Sequence, residues 1–521
     1  MKHCWIYFIL FIFIAQTLPI LSQTEQDYSS LLEDVLETTQ TDDTLNNTDA
    51  TSTLSNSKNK ATVKLLGENS VYFTIPFYDN QELNSLAKQP LINQDLTLSL
   101  TYQFFSLQAG LRTSITFKPS LYHKVNVALT LQPLENFIAI QFPKMYFSLG
   151  YQTFFWGSAY KTNPVDRLNN LDTQYGIYRI EKIPILAANL EISPVRCLKI
   201  QTVYAPFFSE SKNIFTVSQT APERSIYQHQ NILTNFFKEK NISLPEPADS
   251  SLLINPIDFS YPSIGTRISF FTPGIDLAFT YLYKPDAYPS VKLPSLRIPV
   301  STNITINYKM SHHVGFDFSI PAKTATFWLE SSAIIPVNWN LIEVRNPQVE
   351  FVLGFDYTFG KNDDMLINMQ YYGKYYHFPE QSSVNQDSYY RILQPLLANI
   401  NERYLQALFF HMQFPIIKTT KHANMKITPS LSLSYYLPGL SRLKLEQEKE
   451  KEKEYGSIWI HPQLSLTTLG SLEIAIGTEI YFSIYQMNDK IKLGNNSHNF
   501  GSFYKDTLAY IEVIYKWDVY K

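Results

Sequence analysis

Cysteine is almost absent from this 521-residue chain: there are two, Cys4 and Cys197. With Cys4 in an N-terminal segment that reads as removable, no disulfide closes within one mature chain, which excludes a small cysteine-stapled fold. Charge of one sign is also missing, with 43 Lys and Arg against 46 Asp and Glu and a net charge of −3. No basic surplus is present to draw a nucleic acid. Past the N-terminus, no apolar run reaches the roughly 20 residues that a helix needs to cross a bilayer, so any span must be β. The ten histidines are scattered. His312-His313 has no carboxylate or cysteine at metal-ligand spacing. No Gly-x-Ser-x-Gly elbow, glycine-rich phosphate loop, heptad or longer internal repeat occurs. These absences leave no catalytic, metal or cofactor site to assign, and the chain is expected not to be an enzyme.

What is present is a period of two. In Asp506–Lys521, the residues Ala509, Ile511, Val513, Tyr515, Trp517 and Val519 alternate with Tyr510, Glu512, Ile514, Lys516, Asp518 and Tyr520. Successive side chains of a strand leave opposite faces, so this pattern makes one greasy and one polar face. It recurs from residue 96 onward, at 96–104, 124–132, 274–283, 302–310, 313–320, 347–358, 363–376, 421–437, 457–467 and 471–482. Weaker versions fit 110–118, 136–142, 145–154, 183–192, 197–205, 263–271, 323–335 and 403–415. Aromatic residues make up 15% of the chain, with 35 Tyr and 35 Phe, which suits the interfacial girdles of a membrane barrel. The expectation is an all-β chain forming a single antiparallel up-and-down transmembrane barrel. It would have about 18 strands (range roughly 14–20), apolar side to lipid and polar side to a lumen. A stack of soluble sandwiches would need each apolar face buried on a second sheet. It would also give no role to aromatics at strand ends.

Connections alternate in length. Those at 272–274 and 469–470 are short; those near 155–182, 206–262, 377–402, 438–456 and 486–505 are long. Outer-membrane barrels pair short periplasmic turns with long outer loops. The charged run at 444–456 reads as a solvated loop tip or a short helix with i,i+4 charge pairs. Residues 1–23 read as a signal peptide, with Lys2 and His3 before the apolar Trp5–Ala15. Residues 24–66 are rich in Thr, Asn, Asp and Ser and read as a disordered tail, leaving 67–521 as the barrel. The expected location is the cell outer membrane. The expected partners are outer-membrane lipid, the barrel-insertion machinery and a small solute.

Residues 145–208 carry a further signal. Gly150, Gln152, Trp156 and Gly157 match a "GxQxxxWG" strand end, and Asn163, Pro164, Asp166 and Asn169 match an "NPxDxxN" loop. Lys182, Pro184 and Leu186 match a "KxPxL" strand, and Tyr204, Pro206 and Phe208 match a "YxPxF" strand end. This order resembles Gram-negative outer-membrane porin-like barrels, including alginate-export-like proteins and uncharacterised, possibly spirochaetal, relatives. The resemblance implies a channel and makes the Trp156–Asn169 segment its characteristic part. The chain departs from many such proteins in ending on Tyr520-Lys521 rather than on an aromatic residue.

By position, Trp156 is expected at the lipid interface. Asp166 and Arg167 read either as a pair that fixes their loop or as part of a lumenal constriction. The polar strand faces carry Asp276, Asp317, Glu330, Glu350, Asp356, Glu473, Glu479, Glu512 and Asp518 beside Lys309, Lys374, Lys426 and Lys516. These charges read either as pairs that lock the strands together without selectivity, or as a polar, mildly acidic lumen suited to passive diffusion of small hydrophilic solutes with a weak preference for cations. Two other functions fit the same barrel: an adhesin anchored by it, or a transporter of hydrophobic substrates with an N-terminal plug.

Overall fold

The structure is a computed structural model that describes residues 61–77, 90–119, 125–159, 162–172, 180–209, 261–286, 290–292, 305–337, 347–360, 365–377, 404–420, 423–437, 452–468, 471–487, 490–494 and 507–520. The expected signal peptide, most of the expected tail, and the larger part of the long loops lie outside these residues.

Eighteen antiparallel strands form one closed barrel, with no helix among the described residues. Each barrel strand pairs with its neighbours along the chain. The last, Leu508–Tyr520, returns to the first, Thr62–Pro76, in register from Lys64 opposite Tyr520 to Pro76 opposite Leu508. Two short hairpins stand apart from the barrel sheet: Leu171–Asp172 with Glu181–Lys182, and Ser290–Lys292 with Thr305–Asn307. At one end the strands turn in two residues, as at 103–104, 143–144, 196–197, 273–274 and 323–324. The long connections all leave from the other end.

The alternation sorts onto the two faces. In the closing strand Ile511 and Val519 are exposed outward, while Tyr510 and Glu512 are buried on the inner side. In the strands Glu452–Thr468 and Leu472–Met487, Leu464 and Ile476 face out, while Trp459, His461, Glu479 and Tyr481 face in. Bulky rings settle onto glycines across the ladder. Trp517 covers Gly67 on the outer face of the closing seam, and Tyr510 covers Gly477 on the inner face.

Several boundaries differ from the sequence expectation. The first strand begins at Thr62, inside the segment expected as tail, because "TVKLLGENSVYFTIP" mixes polar and apolar residues too evenly to stand out. The segment at 302–310 makes only the short Thr305–Asn307 hairpin, so Lys309 lies in the connection before the strand Met310–Ala322 rather than on an inward strand face. Residues 124–132 and 136–142 are one strand, Val125–Phe142, interrupted by a register shift opposite Ala109/Leu111. That bulge switches which parity faces outward, from Leu129 and Leu131 before it to Ile138 and Phe142 after it. The end of the charged run, Glu452–Gly456, belongs to a strand rather than to a loop tip. One strand was missed and two segments were in excess, so the 19 segments of the sequence reading stand against 18 strands, within the expected range.

Gly67 has no room for a Cβ beneath the Trp517 ring. Gly67→Val must push that ring off the closing seam, and overpacking of this kind costs about 1–3 kcal/mol. Denaturant unfolding in detergent, followed by tryptophan emission, measures it. An unchanged midpoint and spectrum contradict the seam packing described here.

Candidate functional site

The connection after the strand Met145–Gln152 turns into the barrel. Phe154, Trp156, Val165 and Leu168 from this segment are buried against Ile185, Ala187, Val203, Ala205 and Leu282 from the wall strands. Trp156, expected at the lipid interface, is 1% exposed and lies inside. Its indole Nε1 donates to Gln201 Oε1 at 2.9 Å, and Gly265 makes room for the ring, since a Cβ there would stand 2.7 Å from Cη2. A girdle position and an inward fold both follow a strand end in the sequence. The period-two rule stops at Gln152 and does not distinguish them.

Three residues of the motif shape the segment locally. Asn163 Oδ1 accepts from the amides of Val165 (3.1 Å) and Asp166 (2.9 Å), an Asx turn with Pro164 holding its first bend. Asn163 Nδ2 donates back to the Trp156 carbonyl at 2.8 Å. Asn169 joins entry to exit: its Oδ1 accepts from Phe154 N (2.8 Å), and its Nδ2 donates to the carbonyls of Gln152 (3.0 Å) and Ile183 (2.9 Å). Gly157 has φ +88°, a left-handed backbone that favours glycine. It also lies against Glu330 and Asn163, where a side chain would not fit.

Charged groups fasten the segment to the far wall. Glu330 Oε1 accepts from the amides of Ser158 and Ala159, the latter at 2.6 Å. Arg167 pairs with the fully buried Glu350, which Lys374 also meets at 2.8 Å. Lys284 Nζ donates to the Arg167 carbonyl (2.8 Å) and to Asn170 Oδ1 (2.7 Å). Lys182 pairs with Asp166, donates to the Phe154 carbonyl, and stands 3.8 Å above the Phe155 ring. At the exit, Arg112 grips Asp95 at 2.8 and 2.7 Å and also meets Glu181. Burial raises the Asp166 carboxyl above its usual range and lowers the Lys182 amine, and in both cases desolvation outweighs the attraction of the partner.

The charges expected to line the lumen divide into two groups. Toward the turn end, Asp276, Lys426 and Lys516 are exposed, with Lys516 3.6 Å from Glu68, and Glu473 is half-buried. Toward the loop end, Asp317, Glu350, Glu479 and Glu512 are buried, and Lys374 is nearly so. Asp356, half-buried near the turn end, accepts from Trp328 Nε1 at 2.9 Å and from Asn368. Arg112, Glu181, Gln201, Arg267 and Lys284 escaped the sequence reading. Arg267 lies in a strand of weak alternation and Lys284 one residue past the expected strand 274–283, so the parity count over the clear strands did not reach them. Among the described residues no group of three or more His, Cys, Asp or Glu side chains is placed to hold a metal ion.

The Asp166–Lys182 pair is an expensive one to bury, so it positions the segment more than it stabilises the barrel. Lys182→Met alone strands a buried carboxylate and costs about 3–5 kcal/mol, and adding Asp166→Asn recovers most of that loss. Denaturant unfolding of the two variants decides it; equal losses contradict the assignment.

No protein-family model matches this chain, and no curated protein matches it. Solved structures with a similar outline include OccAB1 of Acinetobacter baumannii, at 9% identity and TM-score 0.46, covering 88% of this chain and 96% of that one. OccK1 (OpdK) of Pseudomonas aeruginosa matches at 6% identity and TM-score 0.44, over 88% and 99%. OccK5 (OpdH) of the same organism matches at 10% identity and TM-score 0.41, over 88% and 98%.

Proposed function

We propose that the chain is an outer-membrane channel through which small hydrophilic solutes diffuse down their gradients, with no bond made or broken. The observation that carries this reading is the chain after Gln152, whose described parts, 153–159 and 162–172, lie inside the barrel and are fastened across it to Glu330 and Glu350. Barrels of about 16–18 strands are wide enough for an aqueous passage. A segment held along the inner wall narrows such a passage to a size that discriminates among solutes. Exposed inward charges at the turn end, Asp276, Lys426 and Lys516, keep that passage wet.

The outer face supports the membrane part of the reading. Leu129, Leu131, Phe279, Val314, Leu353 and Ile476 are exposed on it, more apolar surface than a soluble barrel leaves in water. A closed ladder with this face outward is the β solution to the lack of water in hydrocarbon. The motif likeness to alginate-export-like barrels points the same way. The long loops on which an adhesin would depend lie largely outside the described residues.

Protein refolded in detergent and added to a planar bilayer is expected to give discrete conductance steps. Replacing residues 157–168 with a short Gly/Ser linker should enlarge them, by about twofold or more if this segment is the narrowest point. Reversal potentials in a salt gradient should show a weak cation preference. Absence of steps sinks the channel, and steps unchanged by the replacement sink the constriction.

A further inference from the structure

Phe155 is the anomaly of the inserted segment. At 77% it is more exposed than any other large hydrophobic residue described, yet it points into the interior rather than to the outer face. It borders a cavity of about 150 Å³ beside Trp156, with Lys199, Arg267, Phe271, Asp276 and Asp317 around it. Phe271 is the second exposed ring there, at 45%. It stands directly opposite Asp276 across the hairpin that turns at 273–274, so ring and carboxylate share one face as a cross-strand pair.

The charges around the cavity do not balance. Lys182 has Asp166, and Lys199 has Glu191 at 2.6 Å. Arg267 has Asp317, gripped by two bonds of 2.6 and 2.8 Å. Each cation is therefore matched by its own carboxylate. Asp276 is left over, exposed, with no partner among the described residues. An anion entering here would have to break one of three formed pairs. A cation meets a carboxylate that is already free and aromatic faces whose π clouds attract positive charge. One face of Phe155 already lies under an ammonium group, Lys182 Nζ at 3.8 Å, which shows that the ring accepts a cation in this setting.

From this geometry we infer that the cavity formed by Phe155, Phe271 and Asp276 is a binding site for small organic cations, on the path of the solute just below the constriction. Asp276 supplies the counter-charge, and the two rings supply the apolar, polarisable walls that a substituted ammonium group needs. The inference rests on the channel reading and names the solute class for it.

Choline is a suitable probe, because 3,3-dimethyl-1-butanol has the same shape without the charge. Isothermal titration of the refolded full-length protein in detergent should show choline binding and no heat from the neutral alcohol. Asp276→Asn should weaken choline about tenfold, the loss of one ion pair in a partly desolvated site, about 1.4 kcal/mol. Phe155→Ala should weaken it about three- to fivefold. Both residues are exposed, so the variants should keep the heat-modifiable gel mobility of the folded barrel. Equal binding of choline and the alcohol overturns the site. So does choline binding indifferent to Asp276→Asn, or benzoate binding in preference to choline. Conductance steps without a choline site refute this inference and spare the channel. Choline binding without conductance refutes the channel and spares the site.

Discussion

Backbone hydrogen bonding closes on itself in this barrel, and the rest of the structure depends on that closure. The pairing of Lys64–Pro76 with Leu508–Tyr520 gives the first and last strands the same neighbours as any other. An open edge would leave a row of unmet amides and carbonyls, each costing several kcal/mol in a medium without water. With no edge left, the outer face can be apolar throughout, as Leu129, Val314 and Ile476 are. The inner face is then released from making a hydrophobic core. It carries serines, amides and carboxylates, and it has space for a segment of the chain.

That segment is held mainly by polar groups, and this follows from where it lies. An apolar patch laid against a polar wall has no preferred position on it. The Glu330 carboxylate reaching two amides, Asn169 bridging entry and exit, and Lys284 bonded to two points of the segment each specify one position. Trp156 adds apolar burial, but its Nε1 must find Gln201 for that burial to be favourable. Burying two charges costs about as much as their attraction returns, so ion pairs such as Asp166–Lys182 contribute little net stability. Their effect is to make other placements costlier, since each would strand a buried charge.

The barrel was legible in the sequence because a closed ladder enforces one rule on every strand. Where the rule held without interruption, as in Leu472–Met487 or Leu508–Tyr520, the pattern located the strand and its two faces. Where a bulge reversed parity, at Ala109/Leu111, one strand looked like two. Where polar and apolar residues mixed, as in Thr62–Pro76, a strand was missed. The inserted segment was legible only as a motif. Nothing in residues 153–172 says which way the chain turns after its strand ends, and the decisive partners, Gln201, Glu330 and Glu350, are remote in sequence and near only because the barrel closes. Asp166 was readable as a charge but not as the partner of Lys182. The residues 167–181 that intervene, outside any period, hide such a pairing.

The same separation bears on where selectivity resides. Inward carboxylates could either act together as an acidic lining or pair off and lock the strands together. In the loop-end half they pair off, because Glu350 lies between Arg167 and Lys374, and Asp317 is gripped by Arg267. A matched pair presents a small dipole to a passing ion, and beyond the Debye length of about 8 Å at physiological salt little of it remains. The charges that a solute meets are those left exposed and unmatched. Lys516 is partly offset by Glu68, whereas Asp276 has no such counterweight among the described residues and stands beside two exposed rings. Counting acids and bases along the strands therefore overstates the field of the lumen. Beside Phe155 and Phe271 the pairing pattern leaves Asp276 as the unmatched charge, while Lys426 stays exposed elsewhere on the inner face.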